Sequence, residues 1–435
     1  MKRFLLLLII FLFVLNSFAC SGKQQAGPDN NVEIESQSPE TDRQAYNPDT
    51  DFDNRFASIQ MSMAESDELI FFRSMKNKYT MYYDKAADDY GVLCAKPECL
   101  HNEQEENHDC TGYVGRGKVN SLSLYQGKLY YVAYYHAEGS PTFSSLFRIN
   151  PDASGKEKLL DLSIPEGYAP QEWLIHRGRL YMRCVQDRVI DGKPTQTIAL
   201  LSTPISVCDI KILYEYETKD PGATWTSYLR FIGDRVYLAF NFRTEDEKYI
   251  TKVICCNADT GECTELLSDD SLTEYLGGFW VDPDGTMYFL QYGYDPEAKL
   301  WKSENNGALI PFAEHHDSDG RFIVQYLCSG VIFALDYSDS VEGSTDVWLR
   351  DFEGNTLYKG LLTTGFINGT KYESWNLRFS TVCGDRNAIY VSYLARNTSA
   401  AAGVSEPYFV DFLVRYTISE NGLEEKLLII EDNLT

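Results

Sequence analysis

Gly127-Lys128-Leu129-Tyr130-Tyr131-Val132 is a turn glycine followed at once by an aliphatic-aromatic strand. The phrase returns as Gly178-Arg179-Leu180-Tyr181, Gly233-Asp234-Arg235-Val236-Tyr237, Gly285-Thr286-Met287-Tyr288, Gly330-Val331-Ile332-Phe333 and, more loosely, Gly384-Asp385-Arg386-Asn387-Ala388-Ile389-Tyr390. The aromatics in its shared slot (Tyr130, Tyr181, Tyr237, Tyr288, Phe333, Tyr390) stand 51, 56, 51, 45 and 57 residues apart. An internal period of about 40–50 residues built of strands and turns is the mark of a β-propeller.

Each repeat has one grammar: a strand, a tight turn, a strand carrying the phrase, an apolar third strand, a polar turn, and a fourth strand ending in a Leu-Leu type pair. In the second unit the spacing predicts strands at 121–125, 128–135, 145–150 and 157–162. In the fourth it predicts 228–232, 236–242, 249–256 and 264–267. Alternation with turn residues at these offsets argues for four-stranded antiparallel meanders. A unit without a turn glycine precedes them, with strands at 58–63, 68–74, 80–83 and 90–94 and Phe71 in the aromatic slot. The last runs over 376–430, lengthened around 398–403. The fold class is thus all-β, a propeller of seven four-stranded blades, with six or eight the count if one weak unit is misread. No blade buries both faces alone, so neighbours must stack and the ring must close. With every unit complete, closure falls to packing of the seventh blade on the first.

The chain of 435 residues is rich in Tyr (30) and Phe (23), side chains suited to a pleated, half-buried surface. Its formal charge of −25 lacks the basic footprint that nucleic-acid binding requires. Lys2 and Arg3 precede a twelve-residue apolar run at 4–15, too short to span a bilayer and suited to a secretory signal. Ser17-Phe18-Ala19-Cys20 then reads as a lipobox with Ser17 in place of the usual Leu, making Cys20 the lipidated first residue of an extracytoplasmic protein. Ser17-x-Ala19 also fits ordinary cleavage, which would release a soluble secreted form. The domain plan is therefore 1–19 signal, 20–54 polar tether, and 55–435 propeller with a Cys/His insertion at 94–112. Asp49-x-Asp51-x-Asp53 starts like a calcium loop, but Asn54 and Gln60 stand where its Gly and Glu belong, so it reads as charged linker.

The repeat grammar over about 58–430 resembles extracytoplasmic propeller lipoproteins of anaerobic gut-type bacteria, of the TolB or PQQ-repeat kind. The resemblance implies binding or scaffolding and assigns no residue.

The sharpest local feature is Cys94-Ala95-Lys96-Pro97-Glu98-Cys99-Leu100-His101 followed by Cys110. The spacing Cys-x4-Cys-x-His-x8-Cys supplies three thiols and an imidazole, the set of a structural tetrahedral zinc site, with His108 a spare imidazole. A similar phrase in the same lipoproteins implies that the residues work as a unit. A disulfide from Cys99 or Cys94 to Cys110, leaving one thiol over, is the alternative outside the cytoplasm. Unlinked thiols are the third. Cys256 and Cys263 flank the turn at 257–262 and suit a cross-strand disulfide, with Cys255 on the opposite face. Cys184, Cys208, Cys328 and Cys383 sit in strand phrases as small apolar residues.

No catalytic residue is assigned. His136, His176 and His315-His316 are scattered, the pair with Glu314 and Asp317 being a weak metal candidate. A Gly-x-Ser-x-Gly elbow is absent from the sequence, as are phosphate-cradling and dinucleotide loops. Tyr134, Tyr135, Trp173, Trp225, Phe279, Trp280, Trp301, Trp348 and Trp375 recur near strand ends, where they serve either a ligand face or the packing between blades. The function expected is a membrane-anchored, non-enzymatic binding or scaffold module for a protein, peptide or glycan. A propeller glycoside hydrolase, lyase or lactonase is one alternative, and an envelope-complex assembly partner another.

Overall fold

A computed structural model of the chain describes residues 46–57, 61–73, 78–101, 107, 109–114, 122–135, 143–190, 192–219, 227–291, 299–304, 307–314, 322–336, 345–397 and 409–431. These form seven antiparallel sheets, each of four strands taken in chain order: blade 1 (62–92), blade 2 (123–162), blade 3 (169–218), blade 4 (227–269), blade 5 (276–314), blade 6 (322–362) and blade 7 (376–431). The blades stand in a ring, a seven-bladed propeller. Its helix, among the described residues, is two single 3-10 turns, Asn54–Phe56 and Gly365–Ile367.

The repeated phrase is the hairpin between each blade's first and second strands. Arg177 and Gly178 at one of these turns have φ of 48° and 72°. Positive φ at both central residues gives a turn twisted in the sense of the strands it joins, which favours glycine at the second position. The aromatic slot has a positional meaning that the period alone did not show: it supplies one ring to every seam. Phe71 lies in the cluster between blades 1 and 2, Tyr130 between 2 and 3, and Tyr181 between 3 and 4. Tyr237, Tyr288, Phe333 and Tyr390 do the same for the next four seams, the last joining blade 7 to blade 1. Six of these rings are buried and Tyr288 is half-buried; a side chain that hides up to about 150–250 Å² is a large share of the apolar surface that makes neighbouring blades adhere.

Among the described residues, closure involves no exchanged strand. Met61, Met63, Ile70 and Phe72 pack against Cys383, Leu413, Leu428 and Ile429 of blade 7. At the rim Tyr390 Oη donates to Glu65, and Lys426 pairs with Asp88 at 2.6 Å.

Three placements differ from the sequence reading. The first strand of blade 1 is Ser62–Glu65, further along than 58–63, because Ser66 closes the turn to Leu69 and Glu65 finds cationic partners in Arg55 and Lys85. Residues 46–54, polar enough to read as tether, are seated on the ring. The Cys/His insertion, which lies between blades 1 and 2 in the chain, is rooted in blade 1. It leaves the fourth strand of blade 1 after Leu93, and residues 112–114 resume that strand's ladder against 78–80: Leu93 N–H donates to Thr80 O (2.9 Å), Thr80 N–H to Gly112 O (2.9 Å) and Val114 N–H to Lys78 O (2.8 Å). The two feet of the excursion are so close that a Cβ on Gly112 would lie 2.6 Å from Leu93 O, which only glycine avoids.

Candidate functional site

Two features stand out from the repeat: the excursion from blade 1 and a strap across the ring. In the excursion, one ligand atom each from Cys94, Cys99, His101 and Cys110 lies within 4.8 Å of all the others. The feet fix two of the four, since Cys94 follows Leu93 directly and Cys110 stands two residues before Gly112. Beneath them Tyr79 and Tyr113 meet edge to face at 5.6 Å, and Tyr79 is also edge-on to His101 at 5.9 Å. Asn107 Nδ2 donates to Cys99 Sγ at 3.6 Å and caps the loop through Cys110 N–H.

The donor set fits a metal. Ligands about 2.3 Å from a shared zinc stand about 3.8 Å apart, so coordination asks for an inward shift of about an ångström or less. Burial opposes ionisation of Cys94, but hydrogen bonds from His101, the Thr111 hydroxyl and the N–H groups of Lys96 and Thr111 prevail and bring its pKa down to about 6. Burial, with Cys94 as neighbour, pushes the Cys110 thiol up to about 12. A ready thiolate at Cys94 beside a less willing thiol at Cys110 is the state that a divalent ion converts by displacing protons. His101 Nε2 is buried with no hydrogen-bond partner among the described residues, an orphan that a bound ion would satisfy. The three sulfurs are unpaired. By contrast Cys256 and Cys263, opposite each other in the ladder of blade 4, are joined as a disulfide.

Lys156 reaches this cluster from the turn between the third and fourth strands of blade 2. Its Nζ donates to Cys110 O (3.1 Å) and Tyr113 O (2.8 Å) and lies over the Phe147 ring. Burial draws its pKa below the usual lysine range, with Cys110 and Cys94 holding the charge in place and Lys96 opposing them.

The strap is 46–57, which crosses the face carrying the hairpin turns between first and second strands. Thr50 O accepts from Arg177 N–H at 2.7 Å, and Phe52 N–H donates to His176 Nδ1 at 3.1 Å, both on blade 3. Asn54 pairs with the Phe231 backbone of blade 4 in both directions, and Phe52 packs edge-on to the Phe231 ring. Arg55 then bridges Asp53, Glu65 of blade 1 and Asp385 of blade 7, and Phe56 packs on Tyr390. Asp51 and Asp53 of the Asp-x-Asp-x-Asp run are thus in use as structural acceptors: Asp51 takes the Asn47 N–H, and Asp53 takes the Arg55 backbone and guanidinium.

His176 is the strap's keystone. It is fully buried, and since Nδ1 accepts from Phe52, its Nε2–H donates to Gly233 O at 2.7 Å. Burial drives its pKa down to about 4, against the pull of Gly233 O and of Asp51, whose carboxylate is 3.9 Å away. Further along the same blade, Glu172 is buried beside Arg183 (3.5 Å), which also donates to Ser227, while the buried Arg230 lies over Trp280. Burial holds the Glu172 carboxyl above its ordinary range despite both guanidiniums.

Other candidate residues are less distinctive. Trp173, Phe279 and Trp280 are buried between blades, and Trp301, Trp348 and Trp375 are packed against the same clusters. Trp225, His108, His136, His315, His316, Asp317, Cys20 and the 20–45 tether lie outside the described residues, as do the side chains of Tyr134, Tyr135 and Glu314. Cys184, Cys328 and Cys383 are buried, but Cys208 is exposed because it falls in a turn of blade 3 and not in a strand. On the face opposite the strap, the 12-residue strands Arg179–Ile190 and Lys193–Pro204 lift an exposed Val189 and Ile190 to the tip of blade 3.

No protein-family model matches the chain, and no curated protein does. Among solved structures it is similar to the acylaminoacyl peptidase of Pyrococcus horikoshii (11% identity, 87% of this chain and 54% of that one, TM-score 0.44). It is similar also to the β-propeller domain of the Trilobed protease from Pyrococcus furiosus (12%, 85% and 98%, 0.42) and to a putative 6-phosphogluconolactonase from Bacteroides uniformis (12%, 71% and 83%, 0.39). The chain spans about half the length of the peptidases it matches (54%).

Proposed function

We propose that the protein is a lipid-anchored, extracytoplasmic propeller that acts as a binding or scaffold module, taking a protein, peptide or glycan on the face opposite its strap. The observation that carries this reading is the strap itself. The chain that follows Cys20 and the polar tether is bonded across the turn face to blades 3, 4, 7 and 1. With one face taken up by the strap, the other carries the exposed Val189 and Ile190, where a partner can dock. In the excursion Cys94, Cys99, His101 and Cys110 hold a structural zinc: four protein ligands leave no open position for a substrate or water.

Two measurements test this together. Membrane fractionation of the full chain beside a Cys20→Ser variant should place the first in the membrane and release the second. Pull-down of the purified protein against envelope extracts and a glycan panel should then yield a ligand whose capture is lost on Val189→Asp/Ile190→Asp. A wild-type protein in the soluble fraction overturns the anchor. Turnover of glycoside or lactone substrates by the purified protein overturns the non-enzymatic reading.

A further inference from the structure

We infer that Lys156 is the charge partner of a zinc–thiolate centre in the excursion, and that filling this centre fastens the outer edge of blade 1 to blade 2. The inference rests on the metal reading proposed above and goes beyond its four ligands.

A zinc dication bound by three thiolates and a neutral imidazole carries one net negative charge. Such a charge is costly in a poorly solvated place unless a cation stands close. Lys156 supplies that cation. Its ammonium is tied to the carbonyls of Cys110 and Tyr113, one a ligand residue and the other part of the strand that the excursion rejoins. It comes from a different blade, so the electrostatic contact is also a mechanical one. Ala153, in the same turn, packs with Leu93 and Val114 at the excursion's two feet. The acidic composition of the chain makes the choice informative: with 64 Asp and Glu against 39 Lys and Arg, a half-buried lysine has many possible carboxylate partners. Lys156 instead addresses two carbonyls beside a cluster of sulfurs. Outer-shell partners of this kind usually change metal affinity by about 10- to 100-fold when removed.

The experiment uses the full protein purified anaerobically, with zinc affinity read by competition against a chromophoric chelator. Wild type should bind one zinc per chain. Lys156→Met should weaken binding by about 10- to 100-fold, Lys156→Gln similarly, and Lys156→Arg by no more than about threefold, the charge being kept. Gln retains donors for the two carbonyls and so separates charge from hydrogen bonding. If Met fails to fold, the comparison of Gln with Arg decides the matter. In a metal-free Cys94→Ser/Cys110→Ser background the same Lys156→Met change should cost less stability than in the zinc-loaded protein, since only the two carbonyl hydrogen bonds, and no anion, are then lost. Zinc loading should also slow hydrogen exchange at 78–80, 112–114 and 153–156 together. Equal zinc affinity in wild type and the Gln variant overturns the inference, as does an equal loss of stability with and without metal. A wild-type protein that binds no zinc overturns the metal reading beneath it.

Discussion

Acid should loosen the strap, and His176 sets the amount. Its ring is fully buried with both nitrogens committed, Nδ1 accepting from Phe52 N–H and Nε2–H donating to Gly233 O. A proton on Nδ1 would face that N–H and break the bond. The ring's pKa accordingly falls to about 4 when folded, against about 6.5 in an unfolded chain. The unfolded state therefore takes up the proton first. The stability that His176 contributes is complete above pH 6.5 and drains as pH falls from there toward 4. Linkage puts the loss at roughly 2 kcal/mol between pH 7 and pH 5, and roughly 3 kcal/mol by pH 4. Guanidinium titrations at pH 7, 6 and 5 on wild type and His176→Gln isolate the term, because an amide accepts and donates without titrating in this range. Wild type should lose about 2 kcal/mol more than the variant over this interval. If the strap opens locally, exchange at the Phe52 amide, corrected for intrinsic rate, should rise about thirtyfold at pH 5 in wild type alone. Parallel pH profiles for the two proteins would refute the reasoning.

Other substitutions test the interior. Glu172→Ala leaves Arg183 and Arg230 buried without their carboxylate and should cost about 3–5 kcal/mol in chemical denaturation; a loss below about 1 kcal/mol would show the pair to be dispensable. Tyr416 Oη donates to Thr363 O at 2.6 Å and accepts from Tyr393 at 2.8 Å. Tyr416→Phe strands both partners and should cost about 1–3 kcal/mol by the same measurement, whereas an unchanged midpoint would refute the bonding. Gly384 has φ of +125°, and a Cβ there would come within 2.3 Å of Ala388 O. Gly384→Ala should therefore lower stability by roughly 2–3 kcal/mol or more, and a thermal midpoint at the wild-type value would contradict the strain.

The blades were legible because the signal repeats. The four strands expected in blade 4 fall within one or two residues of Ser227–Ile232, Arg235–Arg243, Tyr249–Asn257 and Cys263–Asp269. The ligand set was legible for a different reason: Cys94, Cys99, His101 and Cys110 lie close in sequence, so spacing alone brings them together. What spacing could not convey was the excursion's origin inside a strand, because the rejoining residues 112–114 pair with 78–80 across a long separation. The strap escaped notice for the same cause. Its stretch is polar, and polarity marks a linker only when the polar groups lack partners; here Asn54 and Arg55 find theirs on Phe231, Glu65 and Asp385, far along the chain. Lys156 gave no local hint at all, being an ordinary turn lysine until the fold sets it beside Cys110.

Because each blade, among the described residues, is spun from its own consecutive strands, the circle has a single seam whose two sides are made at opposite times. Synthesis from the N-terminus delivers Phe56, Met61 and Met63 before Tyr390, Leu413 and Ile429 exist to cover them. The earliest blade thus waits, greasy flank open, for the latest. A chaperone acting on this protein would be needed longest at that flank, and a chain cut short before blade 7 would expose it permanently, a ready target for quality-control proteolysis.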